Sequence, residues 1–142
     1  MHTFSRKHKI HFSECDPAGI VFYPQYFVLF NDLMEAWFDE LLPEGYHGLI
    51  GTRRIGVPTV HLDVDFKAVS KMGEIVWLSL DVLRIGNKSL SLAWQCAGTD
   101  GAVRMAAQQT IVTTSLDTHR AIAIPEDLRT AIECSANAAG EG

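Results

Sequence analysis

A change of period partway along the chain constrains its fold more than any other feature. Between Tyr26 and Leu41 the apolar residues Tyr26, Phe27, Phe30, Leu33, Met34, Trp37, Phe38 and Leu41 recur at three- and four-residue steps, a spacing that gathers them on one broad face of an α-helix. Beyond Gly48, Gly51 and Gly56, which read as a glycine-rich connection, the period falls to two. Val60, Leu62, Val64 and Phe66 alternate with His61, Asp63, Asp65 and Lys67, as a half-buried strand requires. Three more runs follow, Ile75 to Ile85, Ser89 to Cys96 and Val103 to Thr113, separated by the turn formers Gly86-Asn87 and Gly98-Thr99-Asp100-Gly101. Ahead of the helix, alternation from Lys9 predicts a short strand ending near Phe12. One strand, one long helix and four consecutive strands make an α+β chain, in which an antiparallel sheet of about five strands carries a helix on one face. Periodicity leaves the strand order open, and a ferredoxin-like arrangement satisfies it equally.

Pro24 suits the first helical turn, where a missing N–H costs nothing, and Pro43 with Gly45 can end the helix. Pro125-Glu126-Asp127 opens a second, short helix with Leu128 and Ile132 on one face. With 142 residues, 47% of them hydrophobic, the chain has enough apolar side chains for one core. Residues 1–134 read as a single domain, and 135–142 as a tail expected to fray. The formal net charge of -5 argues against a nucleic-acid partner, which calls for a broad basic footprint. Met1 to Ile10 holds basic residues with no apolar run behind them, so neither a signal peptide nor a membrane anchor is expected. Cys15, Cys96 and Cys134 are odd in number and lack paired spacing. They suit reduced thiols in a cytoplasmic protein, and no metal site is expected from them.

The chemistry concentrates in Cys15-Asp16-Pro17-Ala18-Gly19-Ile20-Val21-Phe22-Tyr23-Pro24-Gln25-Tyr26. One carboxylate, Asp16, stands a loop's length ahead of a helix N-terminus, whose free N–H groups can polarise a carbonyl brought beside them. A plainer reading makes Asp16 the start of an Asp-Pro turn, with Gly19 supplying a positive φ. On the residues alone both stand. Cys15 near the same terminus lacks a partner base and reads as a small buried thiol. Asn31, Asp32 and Glu35 form a polar stripe on the helix, His61 belongs to a strand's polar face, and Trp37, Trp77 and Trp94 read as core.

The segment from Asp16 to Tyr26 resembles the 4-hydroxybenzoyl-CoA thioesterase branch of the hotdog-fold thioesterases, in which an acidic residue, Pro-Ala-Gly, Val, an aromatic pair, Pro and Tyr stand at this spacing. The resemblance implies a long central helix wrapped by a curved antiparallel sheet, with active sites at a dimer interface. It implies a homo-oligomer, a dimer or a dimer of dimers, acting on an acyl-CoA substrate without a cofactor. Asp16 would then be the catalytic carboxylate, as nucleophile or as general base, and the backbone N–H of Tyr23 would hold the developing oxyanion. The hairpin corner Arg84-Ile85-Gly86-Asn87-Lys88-Ser89 would meet the nucleotide through Asn87, Lys88 and Ser89, joined by Arg120. Asn31 would stand where a ring substituent is read. An aromatic acyl group, benzoyl- or hydroxybenzoyl-like, is the favoured substrate. A short-chain or fatty acyl-CoA thioesterase and a non-catalytic acyl-CoA binding subunit are the alternatives.

Overall fold

In the computed structural model, which describes residues 1–141, the period switch resolves into a helix lying on a sheet. Strand β1 spans Phe4–Lys9 and helix α1 spans Pro24–Leu41, with a short helix α2, Gly45–Gly51, behind it. The strands that follow are β2 (Ile55–Gly56), β3 (Thr59–Phe66), β4 (Ile75–Ile85), β5 (Ser89–Gly98), β6 (Val103–Val112) and β7 (Thr114–Ser115), before the closing helix α3, Glu126–Glu141. The main sheet runs β1-β4-β5-β6-β3 with every pair antiparallel, and β2 pairs with β7 in a small second sheet. This is the hotdog arrangement, and the ferredoxin-like alternative falls away.

The wide apolar face of α1 covers the sheet. Tyr26, Leu29, Phe30, Leu33, Met34, Trp37 and Phe38 are buried against Val76, Leu78 and Leu80 of β4, Leu90, Leu92 and Trp94 of β5, and Met105 and Ile111 of β6. Alternate residues of each strand point to this face, which is why the period of two is legible in the sequence. The opposite face carries small and polar residues, among them Ser79, Ala93, Gln95, Ala106 and Gln108.

Several local expectations are corrected. The first strand ends at Lys9, and Phe12–Glu14 form a single 3-10 turn. The glycine-rich connection contains α2. Trp77 is not core; it lies 38% exposed on the outer face, with the Lys7 ammonium 5.4 Å from its ring centroid. The expected short helix from Pro125 continues to Glu141, through most of the segment read as a tail. Leu128 and Ile132 anchor it to the core, and the Trp37 indole N–H donates to Ser135 Oγ at 3.1 Å. The alanine-rich run beyond has high helix propensity, so continuing the helix costs little.

β3 departs from expectation in a way that matters for the site. Its alternation is present, yet Val60, Leu62 and Phe66 are 60%, 42% and 52% exposed, because this edge strand has a sheet neighbour on one side and α1 leaves it largely uncovered. A register shift between Thr59 and His61 marks a β-bulge. Thr59 therefore pairs with Ile111 while Leu62 pairs with Gln109. Ile111 and Gln109 are two residues apart and share a face, so the bulge brings Thr59 onto the same face as Leu62.

Candidate active site

Asp16 sits at the base of a tight hairpin. Its N–H donates to the Ile20 carbonyl at 3.0 Å, the Gly19 N–H donates to its carbonyl at 2.9 Å, and the Ala18 N–H donates to its carboxylate Oδ1 at 2.8 Å. Gly19 makes the turn at φ +76°, a conformation that favours glycine. The turn role read from the sequence is thus real, but it occupies one carboxylate oxygen. Among the described residues Oδ2 of Asp16 accepts no hydrogen bond, and the side chain is partly exposed.

The hairpin is pinned from both sides. Cys15 bridges to Val21, the Phe22 N–H donates to the Glu14 carbonyl at 2.9 Å, and the Val21 N–H donates to the Ser70 carbonyl at 2.9 Å. The Tyr26 hydroxyl donates to Ser70 Oγ at 3.0 Å inside the core, where burial pushes the phenol pKa up. Ser70 belongs to the loop between β3 and β4. The Arg104 guanidinium straps that loop down by donating to the Val69 carbonyl at 2.8 Å and pairing with Glu74 at 3.0 Å. Each tie fixes where α1 begins. Tyr23 caps α1 with Pro24 next in line, and among the described residues the Tyr23 N–H donates to no protein acceptor. The geometry therefore offers one unengaged N–H at a helix start, on the chain just after a carboxylate with a free oxygen.

Glu14 is the residue that sequence reasoning missed here. It is buried, its Oε1 accepts the His11 N–H at 2.8 Å, and the His8 imidazole Nε2 lies 2.8 and 2.9 Å from its two oxygens. Its only signal in the sequence is an acidic residue beside Cys15 and Asp16. His8, His11 and Glu14 bring three potential metal ligands within 4.8 Å of one another. Both carboxylate oxygens are nonetheless engaged by hydrogen bonding that fixes the base of the hairpin. Cys15 is no nucleophile candidate, because desolvation, with the Glu14 and Asp16 carboxylates nearby, raises its thiol pKa and disfavours the thiolate.

Past the helix start, a cavity of about 460 Å³ opens between α1 and the β5–β6–β3 part of the sheet. Phe27, Val28, Phe30, Met34, Leu62, Trp94 and Ala107 make it largely apolar, and Asn31, Thr59 and Gln109 supply its polar groups. Asn31 is eight residues beyond Tyr23, about 12 Å along the helix axis. Glu35 and Asn31 also border a separate hollow lined by Tyr46, His47 and Ile50 of α2. His61 is exposed on β3.

The proposed nucleotide contacts lie elsewhere. Asn87 and Lys88 form the two-residue turn between β4 and β5, closed by the Gly86 N–H donating to the Ser89 carbonyl at 2.8 Å. Every carbonyl at this corner is taken. Gly86 accepts from the Arg129 guanidinium, Asn87 from the Ile124 N–H at 2.9 Å, and Lys88 from the Thr113 N–H at 2.9 Å. The side chains of Asn87 and Lys88 are left exposed. Arg120, also exposed, belongs to the loop after β7 and comes to the same end, since Ile122 donates to the Thr113 carbonyl at 2.8 Å. The Asp16 hairpin bridges to Lys71, just before β4 begins, whereas Lys88 follows its end. An 11-residue strand spans roughly 35 Å. Within one protomer, Asp16 and the Lys88 corner therefore lie at opposite ends of the sheet.

The sequence model of the thioesterase-like superfamily matches residues 10–132. The 1,4-dihydroxy-2-naphthoyl-CoA hydrolase of Synechocystis is 24% identical over 127 residues, 89% of this chain and 86% of that protein. The crystal structure of a 1,4-dihydroxy-2-naphthoyl-CoA thioesterase from Synechocystis superposes with a TM-score of 0.82 at 19% identity, covering 91% of this chain and 94% of the other. A mutant 4-hydroxybenzoyl-CoA thioesterase in complex with 4-hydroxybenzoyl-CoA superposes with a TM-score of 0.81 at 23% identity, covering 90% and 96%. No helix among the described residues is long and apolar enough to cross a membrane.

Proposed function

Because this chain belongs to the thioesterase-like superfamily, we propose that it is an acyl-CoA thioesterase that hydrolyses an aromatic acyl-CoA to the free acid and coenzyme A. The observation that carries this reading is the order of parts along α1. A carboxylate with one free oxygen comes first, then the unengaged N–H of Tyr23, then a cavity of about 460 Å³ with a largely apolar, aromatic lining. With the thioester carbonyl at the Tyr23 N–H, negative charge developing on oxygen meets a fixed dipole at a helix N-terminus. Asp16 supplies the second half. Its free oxygen either attacks the carbonyl carbon, expelling the CoA thiolate and leaving an anhydride for water to open, or takes a proton from the attacking water. Both routes consume one water and release the acid and the thiol.

Hydrolysis of a CoA ester needs the nucleotide end held as well, and Asn87, Lys88, Ser89 and Arg120 are the groups proposed for it. Their distance from Asp16 within one chain favours a site shared between two copies, so a homodimer or a dimer of dimers is part of the reading. The exposed apolar residues of β3 and its open edge offer the surface for pairing. Free Cys15, Cys96 and Cys134 suit a cytoplasmic setting.

A panel of benzoyl-, 4-hydroxybenzoyl-, acetyl-, hexanoyl- and palmitoyl-CoA, followed by thiol release, tests the proposal. Aromatic esters are expected to exceed the straight-chain ones at least tenfold in kcat/KM. A preference for the straight-chain esters replaces the substrate class. Binding of acyl-CoA with no thiol release removes the enzymatic reading altogether.

A further inference from the structure

Where β1 ends, His8, His11 and Glu14 follow one another at steps of three, and the fold gathers their side chains at one point. β1 stops at Lys9, and the 3-10 turn Phe12–Glu14 brings the Glu14 carboxylate back to the His8 ring. Glu14 is the one buried acidic residue among the described residues, and no lysine or arginine there pairs with it. Its charged partners are two imidazoles. A carboxylate taken out of water calls for positive charge beside it, and an imidazole supplies that only when protonated. A bound cation would supply it outright.

The distances suit a metal ion. Zinc bonds of about 2.0 Å at the tetrahedral angle place neighbouring ligand atoms about 3.3 Å apart, and the centroids of two ligating imidazoles about 5 Å apart. His8 Nε2 lies 2.8 Å from Glu14 Oε1 and His11 Nδ1 lies 3.7 Å from the same oxygen, so the two values bracket the first separation. The imidazole centroids stand 5.2 Å apart with their planes at 89°, which meets the second. The His11 N–H donates to Oε1 at 2.8 Å and so orients the carboxylate, the outer-shell support a metal ligand needs. With 61% of its side chain exposed, His11 leaves a way in from solvent. We propose that His8, His11 and Glu14 form a Zn²⁺ site, two imidazole nitrogens and one carboxylate oxygen with water as the fourth ligand. Nitrogen donors favour Zn²⁺ over Mg²⁺ and Ca²⁺, which take oxygen. The ion takes the place of the proton between His8 Nε2 and the carboxylate and supplies the missing counter-charge. Because the Glu14 carbonyl accepts the Phe22 N–H, the ion fastens β1 to the hairpin that carries Asp16. It is a structural tie, outside the thioester chemistry, and the inference is independent of the thioesterase reading.

Calorimetric titration of chelator-treated protein with zinc chloride, beside thermal melting, tests the site. One ion per chain is expected to bind with a Kd of about a micromolar or tighter, and a hundredfold excess over Kd should raise Tm by roughly 5 °C. Hydrogen exchange at the Phe22 amide should slow on the same addition. His8→Ala, His11→Ala and Glu14→Gln should each weaken binding at least about a hundredfold and cancel the gain in Tm. Cys15→Ser should bind as the wild type does, and Co²⁺ in place of zinc should show no thiolate charge-transfer band. A wild type that takes up no zinc at about a hundred times that Kd, or a His11→Ala variant that binds like the wild type, overturns the inference. A thiolate band, or loss of binding in Cys15→Ser, moves the ion to the cysteine and overturns it equally. Should His8→Ala or Glu14→Gln fail to fold, His11→Ala at its exposed position decides alone. Zinc uptake is read without substrate, so a protein that hydrolyses no acyl-CoA but binds zinc as expected sinks the thioesterase reading and leaves the metal site in place.

Discussion

Asp16 carries two loads, and its two carboxylate oxygens divide them. Oδ1 accepts the Ala18 N–H and shapes the turn, while Oδ2 is free for chemistry. Asp16→Asn separates the roles, because an amide oxygen can still accept from Ala18 whereas the negative charge is gone. We expect kcat to fall at least about a hundredfold, within the range of general-base catalysis, with the melting temperature nearly unchanged. Asp16→Ala loses the turn bond as well and should also melt lower, by an amount matching roughly 1 kcal/mol. Near-full turnover in a folded Asp16→Asn would end its candidacy. The two readings left open by the sequence are thus compatible, a point that depends on which oxygen meets Ala18 and so lies beyond any sequence pattern. Asp16 and Tyr23 are adjacent enough in the chain to be singled out together. Thr59 and Gln109 are not, since 50 residues separate them and only β3–β6 pairing brings them into contact.

At the scale of elements, periodicity located α1 and the four later strands to within a few residues, because burial on one face imposes it. It could not reveal the bulge in β3, which adds one residue and leaves the apolar alternation from Val60 intact while moving Thr59 to the other face. Nor could it reveal α2, whose glycines read as a connection. The loop between β3 and β4 shows the same limit: nothing in Lys67 to Glu74 announces that Arg104 holds it against the Asp16 hairpin. That strap has a pH signature. Arg104, with the Lys71 N–H as a second partner, holds the Glu74 carboxyl below its ordinary pKa of 4.5. A carboxyl held low in the folded state contributes stability that is complete above the unfolded value and is lost as pH falls through the depressed one. Glu74→Gln should therefore be less stable than the wild type in urea at pH 7, and the gap should narrow at acid pH, as Glu74 itself becomes neutral. A gap of equal size at both pH values would mean that shape, not charge, sets the contribution.

For the whole molecule, the strand order β1-β4-β5-β6-β3 was not legible, because its decisive contact joins Phe4 to Leu80. That order leaves β3 at an open edge with Val60, Leu62 and Phe66 uncovered, and it sets Asp16 and Lys88 at opposite ends of β4. If each active site draws its carboxylate from one copy and its cationic corner from another, two damaged chains should repair each other. Asp16→Asn alone has no working carboxylate, and Lys88→Ala alone holds the nucleotide poorly, which raises KM because that binding energy is shared by ground and transition states. Random pairing of equal amounts makes half the dimers mixed, and each mixed dimer carries one intact site beside one doubly damaged site. Coexpressed variants should then regain about a quarter of the wild-type kcat/KM, as symmetric two-chain pairing dictates, above the mean of the two parents measured apart. Light scattering on the same preparation should show a dimer or a larger even assembly at micromolar concentration. Activity equal to the mean of the parents would assign both groups to a site within one chain, and a monomer in scattering would remove the shared site entirely.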